Sequence, residues 1–200
     1  MFISFEGLDG CGKTTQVELL KAYLETKNWE VVSTREPGGT VLGEQLRQIV
    51  LHGEKISSWA EVALFAASRA ELVDRVIEPA LRREAIVISD RFVDSSLVYQ
   101  GVARGLGIEK VLQLNLHAMK GLLPDRTFLL LVDQQLSEAR VGEERDRMER
   151  ESSAFRRQVE AGYRQLAEMF PDRVVALDGT QSRELIARQV RKALEDAGQL

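Results

Sequence analysis

The chain has 200 residues, of which 44% are hydrophobic and 29% charged, a composition typical of a globular protein with one domain, residues 1–200. Its net charge of −4 gives no electrostatic reason to expect a nucleic-acid or membrane partner. The longest apolar run, around residues 128–132, is too short to span a bilayer, and no leader precedes the apolar residues from Phe2 onward, so we expect a cytoplasmic protein.

The first predicted elements are a strand at residues 2–6, a glycine-rich loop and a helix at residues 13–27. The loop reads G-L-D-G-C-G-K-T over Gly7–Thr14 and fits the phosphate-binding pattern G-x-x-x-x-G-K-[ST]. Its glycines let backbone N–H groups point at one anion, while Lys13 would reach the β and γ phosphates and Thr14 would ligate Mg²⁺. A purely structural glycine turn is the alternative. The strand–loop–helix order favours a nucleotide phosphate site formed by Gly7, Leu8, Asp9, Gly10, Cys11, Gly12, Lys13, Thr14 and Thr15.

The only cysteine, Cys11, lies at a loosely constrained position of this loop, which favours a small filler over a catalytic thiol. A single cysteine excludes an intrachain disulfide and fits a reducing compartment. The two histidines, His52 and His117, lie far apart and have no ligand-like spacing, which argues against a zinc site.

Strands and helices alternate through the rest of the chain. We predict further strands at residues 30–33, 85–89, 127–132 and 173–177. Helices are predicted at residues 41–51, from Ser57 or Ser58 to about residue 82, at 92–102 in irregular form, and at 108–119, 134 onward, 155–170 and 182–197. This alternation indicates an α/β fold of three layers, a doubly wound parallel sheet of five strands with helices on both faces.

Charged residues follow two of the predicted strands. Asp90 ends the apolar run at residues 85–89, a Walker B arrangement in which a carboxylate holds Mg²⁺ through water or orients the attacking phosphate, although it could instead cap the next helix. Arg35 and Arg91 stand at strand ends and Arg69 on the long helix, and arginine forks bind phosphate. Surface ion pairs are the alternative for each. The arginines together suggest a second anionic ligand that faces the triphosphate.

Two further features of the sequence are consistent with a kinase. Residues 140–150 are dense in both charges, and they form either a solvated helix face or a mobile lid that excludes water from a phosphoryl transfer. Phe65 and Arg69 lie one helical turn apart, so the pair could stack on a base and read its carbonyl edge, although a helical phenylalanine is more often core.

With these motifs together, the chain resembles the bacterial type of thymidylate kinase, a family of P-loop nucleoside monophosphate kinases. The resemblance covers nearly the whole chain. Its motifs are F-E-G-L-D-G-C-G-K-T-T-Q at Phe5–Gln16, T-R-E-P-G-G-T at Thr34–Thr40, F-A-A-S-R at Phe65–Arg69, D-R-F-V-D-S-S-L-V-Y-Q-G at Asp90–Gly101, P-D at Pro124–Asp125 and D-R-M-E at Asp146–Glu149.

The resemblance implies a P-loop NTPase fold, ATP with Mg²⁺ held by Thr14 and Asp90, and transfer of the ATP γ-phosphoryl to dTMP. It implies a homodimer and a Glu36–Pro37 peptide that is usually cis in the family. Asp9 would meet the deoxyribose 3′-hydroxyl, and Tyr99 would crowd the 2′ position. The implied dTMP site comprises Asp9, Arg35, Glu36, Pro37, Phe65, Arg69, Arg91, Ser95, Ser96, Tyr99 and Gln100, and the implied catalytic residues are Lys13, Asp90, Arg91, Arg140, Arg145 and Arg147.

The chain also departs from the family pattern. One branch carries an arginine in the phosphate loop where this chain has Gly10, so the additional positive charge would come from the lid. Val141 and Gly142 stand where further basic residues are common, which leaves open whether Arg140, Arg145 or Arg147 closes on the phosphates. Phe92 replaces the tyrosine or histidine that often follows the Asp-Arg pair.

Two rival functions stay open at this point. One is a kinase for another small acceptor, and the other is a GTP-binding switch without catalysis. A GTPase-type switch would need an N-K-x-D guanine reader, which neither Asn28 nor Asn115 supplies.

Overall fold

A five-stranded parallel sheet forms the centre of the protein. The computed structural model describes residues 1–140, 142 and 146–199. The strands are β1 (Phe2–Gly7), β2 (Val31–Arg35), β3 (Ile86–Asp90), β4 (Arg126–Leu131) and β5 (Val174–Asp178). Their order is β2-β3-β1-β4-β5, and every neighbouring pair is parallel. The predicted α/β fold is therefore confirmed, and the predicted strands lie within two residues of the observed ones.

Nine α-helices lie among the described residues. They are α1 (Lys13–Thr26), α2 (Val41–Arg47), α3 (Ser58–Leu72), α4 (Glu78–Arg82), α5 (Val93–Ser96), α6 (Ile108–Ala118), α7 (Gln134–Arg140), α8 (Ser153–Met169) and α9 (Arg183–Asp196). Ser57 and Ser182 cap α3 and α9 because their hydroxyls accept the N–H of the residue three positions on.

Three π-helical segments join or extend these helices, at Gln48–His52, Val73–Ile77 and Leu97–Ala103. The predicted long helix that ends near Arg82 is thus α3, a π turn and α4 in continuous succession. The irregular helix predicted at 92–102 is α5 followed by the third π segment. Such wide turns occur often at functional sites, and the third one carries Tyr99 and Gln100.

The core lies on both faces of the sheet, where β1 and β4 are mainly apolar and mostly buried. Phe5 packs on Phe128 across the β1–β4 pair, with ring centroids 5.4 Å apart. Gly7 ends β1 with φ +137°, and a Cβ there would lie 2.4 Å from the carbonyl oxygen of Leu130. Only glycine therefore lets the loop after β1 turn so closely over β4.

Among the residues that the structure describes, no helix combines the length and the apolar character needed to cross a bilayer.

Candidate active site

A cavity of about 600 Å³ lies over the carboxyl ends of β1, β2 and β3. The strands β3 and β2 lie on one side of β1, and β4 and β5 lie on the other. The loops at the carboxyl end of β1 therefore diverge, and doubly wound sheets bind ligands in the crevice between such loops. The cavity unites most of the predicted site residues: Asp9, Gly10, Gly12, Lys13, Thr14, Thr15, Arg35, Glu36, Pro37, Phe65, Arg69, Asp90, Arg91, Ser95, Ser96, Tyr99, Gln100 and Arg140.

The glycine loop forms one wall of this cavity, with Leu8 and Cys11 buried beneath it. Lys13 Nζ donates to the carbonyl oxygens of Gly7, at 3.2 Å, and Leu8, at 2.8 Å. It also lies 3.9 Å from a carboxylate oxygen of Asp9. The lysine is thus folded back onto its own loop, within reach of an anion that binds over the α1 N-terminus.

Thr14 and Asp90 meet at the boundary between this loop and β3. Thr14 Oγ1 donates to Asp90 Oδ2 at 2.6 Å. A hydroxyl and a carboxylate are the hard oxygen ligands that Mg²⁺ prefers, and Mg²⁺ usually takes one or two carboxylates together with substrate phosphates. No cluster of three or more metal-ligating side chains occurs in the described parts of the chain.

Arg91 lies beside the glycine loop and has a left-handed backbone, with φ +68°. Its guanidinium pairs with Asp9 and donates at 3.0 Å both to Ser95 Oγ and to the hydroxyl of Tyr163. These contacts fix the orientation of the guanidinium, and the Arg91 side chain lines the cavity. Tyr163 was not predicted as part of the site, because it lies on α8, far along the chain.

A second residue that the sequence analysis missed is Glu6, on β1 directly behind Arg91. Its carboxylate accepts hydrogen bonds from the Phe92 N–H at 2.8 Å, from Ser95 Oγ at 2.6 Å and from the Tyr163 hydroxyl at 3.2 Å. Burial, and next the charge of Asp94, raise the pKa of Glu6 to about 7 from its ordinary 4.5.

The raised pKa of Glu6 predicts a specific pH dependence of stability. Between about pH 4.5 and pH 7 the folded state retains a proton that the unfolded state has lost, so the free energy of unfolding falls as pH rises through this window. The fall attributable to Glu6 is on the order of 3 kcal/mol, and it levels off above pH 7. Glu6→Gln should remove it, as measured by urea unfolding at pH 5 and pH 8.

The comparison between wild type and variant isolates Glu6, because Glu36, whose pKa burial also raises, is present in both proteins. If the two proteins lose equal stability between pH 5 and pH 8, the proton is not on Glu6.

The guanidinium of Arg69, which is predicted to contact the base, is held by hydrogen bonds to other side chains. It is 1% exposed, donates bidentately to Glu36, and also donates to Asn115 and to Ser96 Oγ, the latter at 3.2 Å. The Glu36–Pro37 peptide is cis. Arg69 still lines the cavity, and its Nε, Nη1 and Nη2 atoms all donate within the protein.

The loop after β2 and helix α2 place two further arginines at the cavity. Arg35 pairs with Glu44 at 3.0 Å and is more than half exposed, so it is accessible to a ligand. Arg47, which the sequence analysis missed, lines the cavity and donates to the Pro37 carbonyl oxygen at 2.9 Å. Nothing in the sequence pattern distinguished Arg47 from an ordinary cation in the last turn of a helix.

Phe65, Tyr99 and Gln100 line a further part of the cavity. Phe65 is partly buried, and the Tyr99 ring centroid lies 5.6 Å from the Arg91 guanidinium carbon. Gln100 is 1% exposed and donates to Glu61 at 2.9 Å. This part of the cavity therefore combines an aromatic face with a polar edge.

The predicted lid arginines differ in their surroundings. Arg140, at the end of α7, lines the cavity, and its Nη1 atom lies 3.4 Å from the Gly179 carbonyl oxygen. Arg147 is turned toward α3, where it donates to Glu61 at 2.7 Å and to the Val50 carbonyl oxygen at 2.8 Å. Arg145 lies outside the described residues.

Comparisons with known proteins agree with this geometry. The family model "Thymidylate kinase" matches residues 5–190. The thymidylate kinase of Caldanaerobacter subterraneus subsp. tengcongensis is 47% identical over 197 residues, covering 98% of this chain and 95% of the relative. That of Thermoanaerobacter sp. strain X514 is 50% identical over 182 residues, covering 90% of each chain.

A crystal structure of thymidylate kinase from Ehrlichia chaffeensis superimposes with a TM-score of 0.80 at 35% identity. The superposition covers 97% of this chain and 98% of the other, so the likeness extends over the whole P-loop NTPase fold. With a family model over most of its length, and with relatives near half identity, this chain belongs to the thymidylate kinase family, the nucleoside monophosphate kinases that phosphorylate dTMP.

Proposed function

We propose that the cavity binds ATP and dTMP face to face and transfers the γ-phosphoryl group of ATP to the dTMP phosphate, giving dTDP and ADP. One observation carries the proposal: a single cavity is lined both by the phosphate loop and by Arg35, Arg91 and Phe65. The phosphate loop suits a triphosphate, and the two arginines with Phe65 suit the phosphate and base of an acceptor nucleotide.

On the donor side, the loop amides and the α1 N-terminus would bind the ATP phosphates, and Lys13 would turn from the Gly7 and Leu8 carbonyl oxygens toward them. Thr14 and Asp90, already 2.6 Å apart, are the residues that would hold Mg²⁺. When bound, Mg²⁺ neutralises part of the charge on the transferring group.

On the acceptor side, Arg35 and Arg91 would bind the dTMP phosphate. Asp9 would meet the sugar 3′-hydroxyl, and Tyr99 would crowd the 2′ position. Phe65 would stack on thymine. The remaining contacts to the nucleotide would come from Glu36, Pro37, Arg69, Ser95, Ser96 and Gln100, which line the same cavity.

The reaction needs alignment and charge stabilisation more than it needs a base. The acceptor phosphate is already anionic, so one of its oxygens can attack in line once Arg91 positions it. Lys13 and a lid arginine would stabilise the charge that spreads over the transferring group. Arg140 is placed for this at the cavity wall, whereas Arg147 would first have to leave Glu61.

We propose that residues 140–150 act as the lid, closing over the phosphates to keep water from hydrolysing ATP. We also propose, on the family resemblance, that the protein is a homodimer in the cytoplasm.

The test is ADP release from Mg·ATP, measured with a panel of nucleosides and nucleoside monophosphates. Stimulation by dTMP supports the proposal. Stimulation only by another nucleotide would reassign the acceptor, and no stimulation by any would favour a nucleotide switch. The structure already weighs against a guanine-reading switch, because Asn115 is buried and bound to Arg69.

A further inference from the structure

Glu61, on α3, forms a buried cluster at the base end of the cavity. The cluster consists of Glu61, Gln100, Arg104 and Arg147. Glu61 accepts from Gln100 Nε2 at 2.9 Å, from Arg104 Nε and Nη2 at 3.2 Å each, and from Arg147 Nη1 at 2.7 Å. Glu61 is 1% exposed, so a buried carboxylate is surrounded by donors only.

These contacts keep Glu61 ionised. Burial raises the pKa of the carboxyl, but the hydrogen bonds from Arg104, Gln100 and Arg147 outweigh burial and hold the pKa below its usual value. An ionised carboxylate accepts hydrogen bonds and donates none.

The charge on Glu61 therefore fixes which way the Gln100 amide is turned. Only the NH₂ end of the amide can bond to an ionised carboxylate, and the reverse orientation would place two acceptor oxygens together in a buried site. The carbonyl oxygen is on the opposite side of the amide from the nitrogen, and Gln100 lines the cavity. The amide is thus set to present an acceptor to a ligand.

Arg69, also on the cavity wall, can only donate, and Glu36 holds it in place. A donor and an acceptor that line the same cavity can match a pyrimidine that has a carbonyl oxygen next to a ring N–H, as thymine and uracil do. Cytosine has an amino group and an unprotonated ring nitrogen at these positions. Its amino group would meet the donor Arg69, and its ring nitrogen would meet the acceptor oxygen of Gln100, so neither pair can form a hydrogen bond.

We infer that Glu61 is a positioning residue that determines base specificity, because it orients the Gln100 amide so that the site accepts a keto pyrimidine monophosphate and rejects its amino analogue. This inference rests on the proposed binding of dTMP in the cavity. Glu61 touches neither substrate in this scheme and acts only through Gln100.

The test compares kcat/KM for dTMP, dUMP and dCMP in the wild type and in Glu61→Gln. A glutamine at position 61 can offer either its oxygen or its NH₂ group, so the Gln100 amide is free to turn. We expect the ratio of kcat/KM for dTMP over dCMP to fall about tenfold, since one mismatched buried hydrogen bond has roughly that effect. The ratio for dTMP over dUMP, which differ by a methyl group alone, should stay as in the wild type.

Two further variants separate orientation from folding. Arg104→Gln disturbs the same cluster from its other side but leaves the Glu61–Gln100 bond, so the dTMP to dCMP ratio should not change. The double variant Glu61→Gln/Gln100→Glu reverses the hydrogen bond and restores an acceptor-only group at the cavity. It should recover the preference for dTMP.

The inference is overturned if Glu61→Gln lowers activity with dTMP and dCMP in equal proportion, which is what a merely structural role predicts. If Glu61→Gln does not fold, Glu61→Asp keeps the charge but shortens the reach to Gln100. An unchanged ratio in that variant counts against the inference in the same way. A wild type that dTMP does not stimulate would instead overturn the proposed function, and the inference with it.

Discussion

Arg91→Ala is expected to lose most turnover with dTMP while ATP still binds. Arg91 lines the cavity beside the phosphate loop, where its guanidinium is oriented by Ser95 and Tyr163. Removing a group that places and neutralises the attacking phosphate lowers turnover by about 100- to 1000-fold. Steady-state kinetics with dTMP, together with calorimetric titration of an ATP analogue, measures both parts of the prediction.

The control for this change is Arg83→Ala, which removes an exposed arginine paired with Glu30, and it should leave turnover unchanged. Since Arg91→Ala also leaves Asp9 without its partner, a thermal melt is needed to show that the variant is folded at the assay temperature. A folded Arg91→Ala enzyme with near-normal turnover would show that the acceptor phosphate binds elsewhere.

Lys13→Ala should weaken binding of ATP, because the ammonium would contact the β and γ phosphates. It should also lower kcat by about 100- to 1000-fold, because the same ammonium would interact more strongly with the charge that develops on the transferring group. Among the described residues, the Lys13 ammonium contacts the carbonyl oxygens of Gly7 and Leu8 and the side chains of Asp9 and Cys11, all in its own loop. The side chain also lines the cavity, so a phosphate bound there can reach it. The measurement is kcat and KM for ATP at saturating dTMP.

Lys21→Ala provides the matched control, since Lys21 is also on α1 but is a surface residue in an i,i+4 pair with Glu25. It should behave as the wild type does. A Lys13→Ala variant that kept its kcat and changed only its KM would mean that the lysine binds ATP without stabilising the transferring group.

The fold could be predicted because its signals are local. The strand that precedes the glycine loop and the one that precedes Asp90 are short apolar runs bounded by turn residues, and they became β1 and β3. A helix was predicted to begin at Ser57 or Ser58, and Ser57 caps α3. Of the three π segments, the one at Leu97–Ala103 was anticipated as irregularity and the other two were not, because one extra residue in a helical turn leaves little trace in a hydrophobic pattern.

The candidate site was predicted where its residues occupy motifs and missed where they depend on long-range contacts. Tyr163 reaches Arg91 from a helix 72 residues away, and on the sequence it belongs to the apolar stripe of α8. Glu6 did carry a signal that went unused: a charged residue inside an otherwise apolar strand must find buried partners. Glu61 gave none, since an acidic residue in the first turn of a helix is ordinary.

The left-handed backbone at Arg91 sets stability and activity against each other at one position. A residue with a Cβ is held at φ +68° at a cost of about 1–2 kcal/mol, which glycine avoids. Selection for a more stable protein would therefore favour Arg91→Gly over Arg91→Ala, and it would do so by discarding the guanidinium that faces the cavity. Stability-directed engineering of this enzyme should leave position 91 unchanged.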